Sequence, residues 1–261
     1  MTDVHPVAAA GFGAAADVYE RARPSYPDEA IAWLLEQAGI GPSATVVDVG
    51  AGTGKLTRLL VPTGARVLAV EPLREMRDRL RELVPRAEAL DGTAEALPLG
   101  DSSVDAITVA QAFHWFDPAR ALPELHRVLK PGGALVLIWN SRDLDDPLQR
   151  RLEDLLAPFR NEVIAQSYGV WRPPLDASPL FAPLEEVRFP YAQQLTADGL
   201  VERAESTSFV AALPEEERFA LLARVRSLAD DLDEPFDFNY VTEVYLARRI
   251  ETRELSSSAT N

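Results

Sequence analysis

The sequence predicts an α/β fold, a mostly parallel sheet of seven strands with helices on both faces, an antiparallel last strand, and a helical cap built from its N-terminal and C-terminal parts. Three observations predict it. Between residues 45 and 140, short apolar runs suited to buried parallel strands alternate with segments of helical period. The first run ends in a glycine turn, Gly50-Ala51-Gly52-Thr53-Gly54, that opens a helix. After residue 140 the rhythm breaks into helices and two further strand-like runs, with no linker that would mark an independent domain.

The elements follow in order. Residues 1–11 are rich in Ala without a period and read as a mobile arm. A helix over 14–22 must end before Arg23-Pro24, because the residue preceding a proline is pushed out of the helical region. Pro27 starts a second helix, whose Ile31, Leu34, Leu35 and Ala38 keep helical spacing. Strands are expected at 45–49, 66–70, 87–90, 104–110 and 134–140, the third the weakest. Helices separate them: one through Leu56, Leu59 and Leu60, one at 73–84 closed by Pro85, and one at 118–129 ended by Pro131-Gly132-Gly133. Such alternation implies right-handed crossovers. Beyond it come a helix at 146–166, a proline-rich connection at 171–183, a strand at 184–193, and helices at 197–212 and 214–232. The alternating run 238–248 suits an antiparallel edge strand, and 252–261 is a polar, flexible tail. The division is a single domain at 12–251, with a core at 12–140 and cap helices plus last strands at 141–251.

Composition narrows the chemistry. A chain of 261 residues with 47% hydrophobic and 26% charged residues can bury a full core. With no cysteine, disulfides, thiolate zinc sites and thiol nucleophiles are excluded. The net charge of −15 opposes nucleic acid and anionic membrane surfaces as partners. No segment has the roughly 20 apolar residues of a membrane span or the layout of a secretory signal, so the cytoplasm is the expected location. No His, Asp or Glu cluster has metal-ligand spacing, so no metal is expected.

The glycine turn lies where open α/β sheets bind ligands, at the carboxyl ends of the strands. Its G-x-G-x-G spacing is neither the dinucleotide fingerprint nor a phosphate loop, since Leu56 stands where the loop needs a hydroxyl for magnesium. Asp48 puts a carboxylate at the strand end, which would repel pyrophosphate yet could accept from an ammonium group or order the turn. Glu71 ends the second strand, where an acidic side chain can take both ribose hydroxyls. Singly, a glycine turn is often only a turn, and Glu71-Pro72 only a helix cap.

Together these segments resemble the class I S-adenosylmethionine-dependent methyltransferases, with a Rossmann-like sheet. Residues 46–57 resemble motif I, 67–76 (V-L-A-V-E-P-L-R-E-M) the acidic motif, 91–98 the adenine segment, and 129–133 the loop before the fifth strand. Phe12-Gly13, Tyr19-Glu20-Arg21-Ala22-Arg23-Pro24-Ser25-Tyr26-Pro27 and Ala110-Gln111-Ala112-Phe113-His114-Trp115-Phe116-Asp117 are similar to the type 11 branch, which includes proteins like trans-aconitate methyltransferases. The resemblance implies S-adenosylmethionine as cofactor, S-adenosylhomocysteine as product, and a small-molecule acceptor methylated at O, N or carboxylate. It implies that Gly50, Ala51 and Gly52 lie against the methionine part and that Asp48 supports the turn. Glu71 and Pro72 would meet the ribose, Met76 would pack on adenine, and Thr93, Ala94 and Glu95 would surround its edge. The Gln111 carbonyl would approach the ammonium, and Tyr19 and Arg23 would close over the methionine end.

The sulfonium is already activated, so alignment of the acceptor is the main task and a base is needed only for a poor nucleophile. Of the three histidines, His5 falls in the arm and His126 within a helix. His114, with Trp115 and two phenylalanines, follows the fourth strand where an acceptor would enter, so it is the candidate base, and Tyr26, His114 and Trp115 are candidate acceptor contacts. The alternative for His114 is a structural hydrogen bond to a loop. In the cap, Trp171, Arg172, Tyr191 and Phe209 would line an apolar pocket or, more simply, pack the cap. Two other classes remain open at this point: a nicotinamide-dependent oxidoreductase, and a non-catalytic binding module.

Overall fold

A computed structural model describes residues 20–160 and 171–251. The expected arm at 1–11, Tyr19, most of the 14–22 helix, the 161–166 end of the 146–166 helix and the tail at 252–261 lie outside the described residues. Seven strands form one sheet, β1 (Thr45–Val49), β2 (Arg66–Val70), β3 (Glu88–Leu90), β4 (Val104–Ala110), β5 (Leu129–Arg142), β6 (Glu185–Leu195) and β7 (Phe236–Arg248). Their spatial order is β3-β2-β1-β4-β5-β7-β6. β1 to β5 run parallel, and β7 runs antiparallel to both β5 and β6. Around the sheet lie α1 (Asp28–Ala38), α2 (Thr57–Leu60), α3 (Arg74–Leu83) and α4 (Pro118–Val128). The cap adds α5 (Pro147–Leu156), α6 (Arg172–Asp176), α7 (Ala197–Glu205), α8 (Ser208–Ala211) and α9 (Glu215–Arg226).

Neighbouring residues of β1 feed opposite cores, as the two-residue period of a strand requires. Val46 joins Ile31 and Leu34 of α1, with Leu60 and Val136, on one face. Val47 joins Leu68, Ile107 and Leu125 of α4 on the other. A third cluster sits in the cap, where Leu152, Leu200 and Leu221 close over Phe238 and Tyr240 of β7. The aromatic residues Trp139 and Trp171 stack at 4.4 Å between centroids, and Tyr245 meets Trp171 edge-on at 5.0 Å. Trp171 and the buried Phe209 therefore pack the cap against the sheet.

Four expectations change. The run 238–248 is not the edge, because β7 lies between β5 and β6. Val244 to Ala247 are buried, whereas β6 alternates exposed and half-buried residues, carries Glu185, Glu186 and Arg188, and has Pro190 in its middle. Proline and charge are tolerated at an edge and not inside a sheet. The 146–166 helix stops at Leu156 and passes into a 3-10 turn, Ala157–Phe159, at Pro158. The 197–212 helix breaks at Ser206, whose hydroxyl donates to the Arg203 carbonyl at 2.8 Å. The 171–183 connection holds the short α6.

Candidate active site

The strand order reverses between β1 and β4, so the turns leaving their carboxyl ends border one crevice. Gly50 (φ 69°), Gly52 (φ 58°) and Gly54 (φ 88°) all take left-handed backbone. At Gly50 a Cβ would stand 2.7 Å from the Ala112 Cβ, so close packing also demands glycine there. At Gly52 a Cβ would meet nothing within 4 Å, so that residue presents its backbone to open space. Beneath the turn, Asp48 is fully buried and accepts from the Thr57 hydroxyl at 2.6 Å and the Thr108 hydroxyl at 3.0 Å. Burial pushes its carboxyl up to about 6, against the lowering pull of these hydrogen bonds. Asp48 thus ties β1 to α2 and β4.

Glu71 closes the turn from β2. Its carboxylate accepts from the Gly52 amide at 2.9 Å and from the Leu73 amide at 2.9 Å. Burial raises its pKa, while those amides and the nearby Arg77 guanidinium oppose the rise. Arg77, itself buried, donates to the carbonyls of Glu71 (2.6 Å) and Pro72 (3.1 Å) and pairs with Asp91 at 3.3 Å. It therefore clamps the acidic loop to the start of the adenine segment.

The segment 20–26 crosses the turn as a strap held along its length. Glu20 accepts from the Thr53 hydroxyl at 2.5 Å and pairs with Arg58 at 2.7 Å, and its carbonyl accepts from Lys55 at 2.7 Å. Arg23 donates to the Ser206 carbonyl at 2.8 Å, at the end of α7. The Ala22 and Ser25 carbonyls accept from Gln193 (3.2 Å) and Asn140 (2.7 Å).

Strap, turn and cap enclose a cleft of about 490 Å³, counted to its open mouth. Six residues predicted from sequence meet in its wall: Arg23, Tyr26, Gly50, Ala51, Gly52 and Gln111. Gln111 has φ 57°, a conformation costly for a side-chain-bearing residue, and its amide is fixed by the Ile138 carbonyl at 3.0 Å. Lys55, Asn140 and Arg203 also line the cleft and were missed from sequence. A polar residue near the carboxyl end of a strand could have flagged Asn140; nothing local marks Arg203, which arrives from the cap.

Other predicted residues stand apart from this wall. Met76 and Ala94 are buried, and Thr93 forms an isolated bridge with Ala96. Glu95 accepts from the Asp117 amide at 2.9 Å, an N-terminal contact to α4. His114 and Trp115 lie in the 3-10 turn Phe113–Trp115, their rings 4.6 Å apart, and neither lines the cleft. His126 bonds the Ile250 carbonyl at 2.8 Å, a structural contact.

A family model described as a methyltransferase domain matches residues 47–137, the span from β1 into β5. The uncharacterised methyltransferase Rv3342 of Mycobacterium tuberculosis is 45% identical over 217 residues, covering 83% of this chain and 84% of the relative. The chain belongs to the type 11 methyltransferase family. Its fellow methyltransferase C25B8.09 of Schizosaccharomyces pombe is 33% identical over 245 residues, 89% of this chain and 94% of that one. The solved YcgJ protein of Bacillus subtilis has the same fold, with TM-score 0.58 and 20% identity over 87% of this chain and 100% of that chain. The protein is a class I S-adenosylmethionine-dependent methyltransferase on a Rossmann-like sheet. That excludes the oxidoreductase and the non-catalytic module as readings of this turn.

Proposed function

We propose that this methyltransferase acts on a small-molecule acceptor at oxygen, nitrogen or a carboxylate, with the cleft between turn, strap and cap as its reaction chamber. The observation that carries this reading is the meeting of Gly50, Gly52, Gln111, Arg23 and Tyr26 in one cleft at the reversal of the sheet. A net charge of −15 disfavours nucleic acid as the acceptor.

The residues present fit S-adenosylmethionine. The open backbone at Gly52 leaves room for a ligand to lie against the turn. Each Glu71 oxygen accepts one amide hydrogen and keeps a second lone pair for a ribose hydroxyl. Arg23 and Lys55 offer positive charge to the methionine carboxylate, and the strained backbone at Gln111 aims main-chain groups of the β4 end at the cleft. Bound, the cofactor supplies a methyl group already activated on a sulfonium. The protein orients it through the turn and Glu71, while Tyr26 and the strap limit water at the acceptor side. Among the described residues that line the cleft there is no Asp, Glu or His.

The test is transfer of labelled methyl groups from S-adenosylmethionine into a cell extract divided by size. Label in the small-molecule fraction is expected; label confined to protein or RNA would reverse the reading.

A further inference from the structure

We propose that Thr242, in the middle of β7, is a positioning residue: acting through Asn140, its hydroxyl fixes the strap over the cleft. The consequence for the cofactor rests on the reading of the cleft given above. Thr242 is fully buried, and Val244 and Leu246 continue its face of the strand as apolar core. A valine would have nearly the same shape there, and a buried hydroxyl is costly unless it is hydrogen-bonded. This one donates to the Asn140 side-chain oxygen at 2.6 Å.

The register brings the two residues together. Thr242 stands directly opposite Asn140 across the antiparallel β5–β7 pair, so their side chains share a face. On its other side, the Asn140 amide nitrogen donates to the Ser25 carbonyl at 2.7 Å. A carbonyl can only accept, so the nitrogen must face the strap and the oxygen must face Thr242. The hydroxyl thus locks the amide in the one orientation that holds Ser25. Pro24 and Tyr26, the neighbours of Ser25, line the cleft together with Asn140.

The same arrangement recurs two residues away. Tyr240, on the same face of β7, places its hydroxyl 3.4 Å from the Gln193 side-chain oxygen. The Gln193 amide nitrogen in turn donates to the Ala22 carbonyl of the strap at 3.2 Å. In each arm a β7 hydroxyl backs an amide side chain on a neighbouring strand, and that amide takes a strap carbonyl. Pro24 and Pro27 remove two backbone donors from this stretch, so side chains from elsewhere must place it. The Thr242 arm is the tighter of the two, since both of its bonds are shorter.

Hydrogen exchange at the strap amides of Ala22, Arg23, Ser25 and Tyr26, with and without S-adenosylhomocysteine, reads the effect directly. Thr242→Val should speed that exchange about fivefold, the worth of one hydrogen bond, and leave α3 on the far side of the sheet as in the wild type. Calorimetry should show S-adenosylhomocysteine binding weakened about threefold or more. Thr242→Ser, which keeps the hydroxyl, should restore both. In an Asn140→Ala background, Thr242→Val should add less than about twofold, because the relay is already cut. Wild-type exchange and affinity in Thr242→Val overturn the proposal, as does an effect undiminished in the Asn140→Ala background. Exchange that quickens equally in α3 also overturns it, because Thr242 would then serve stability alone. Should Thr242→Val not fold, Asn140→Ala decides by itself: faster strap exchange supports the relay and unchanged exchange ends it. A wild-type protein that binds no S-adenosylhomocysteine would sink the reading of the cleft, while exchange in the ligand-free proteins still tests the relay.

Discussion

At the scale of single residues, Gly50 and Gly52 look alike in sequence and differ in what surrounds them. Both need positive φ, but only Gly50 is walled in, by Ala112. Gly50→Ala should destabilise the fold by more than about 2 kcal/mol, adding a clash to the left-handed penalty. Gly52→Ala should cost only about 1 kcal/mol of stability yet weaken S-adenosylhomocysteine binding about tenfold, because its methyl enters the ligand space. Urea unfolding and calorimetry separate the two, and similar stability losses would contradict the assignment. Asp48 gives a second test, one of sign. Its folded carboxyl keeps a proton up to about pH 6, while the unfolded one releases it near 3.8. Ionised Asp48 thus costs native stability above about pH 6, and the cost is relieved as pH falls towards 4. The stability gap between the wild type and Asp48→Asn should widen in favour of the wild type between pH 7 and 5; a gap that narrows would rule the shift out. The residue identities at this turn were legible because glycine spacing and strand-end acids each have few physical uses. The partners of Asp48, Thr57 and Thr108, were not, since one lies on a different strand 60 positions away.

Among elements, the five parallel strands and their helices were readable from apolar periodicity alone. The order of the last two strands was not, although Pro190 and the charges of β6 already marked it as an edge. Amphipathic alternation in β7 reflects the cap core on one face, not solvent, and periodicity cannot tell those apart. The strap shows the same limit. Its sequence suggested closure over the cofactor, but its anchoring through Glu20 to Thr53, Lys55 and Arg58 is a tertiary fact. If that anchoring orders the cleft, Glu20→Ala should weaken S-adenosylhomocysteine binding by about three- to tenfold, the cost of a less populated closed state. Unchanged affinity would make the strap a bystander.

For the whole molecule, the motif-bearing core named the cofactor and the family, while the cap adds Arg203 to the cleft wall. Core chemistry was legible because a backbone turn and an acidic strand end act locally. Arg203 was illegible because it reaches the cleft only when the cap folds over the sheet. The family assignment rests on similarity along most of the chain, and the site rests on geometry; the two meet at Glu71. Calorimetric titration of S-adenosylhomocysteine into the wild-type protein and Glu71→Ala tests that meeting point most directly. One-to-one binding that weakens about tenfold or more in the variant, the worth of hydrogen bonds to a charged group, is the predicted result. No binding by the wild type, or equal binding by both proteins, would contradict it.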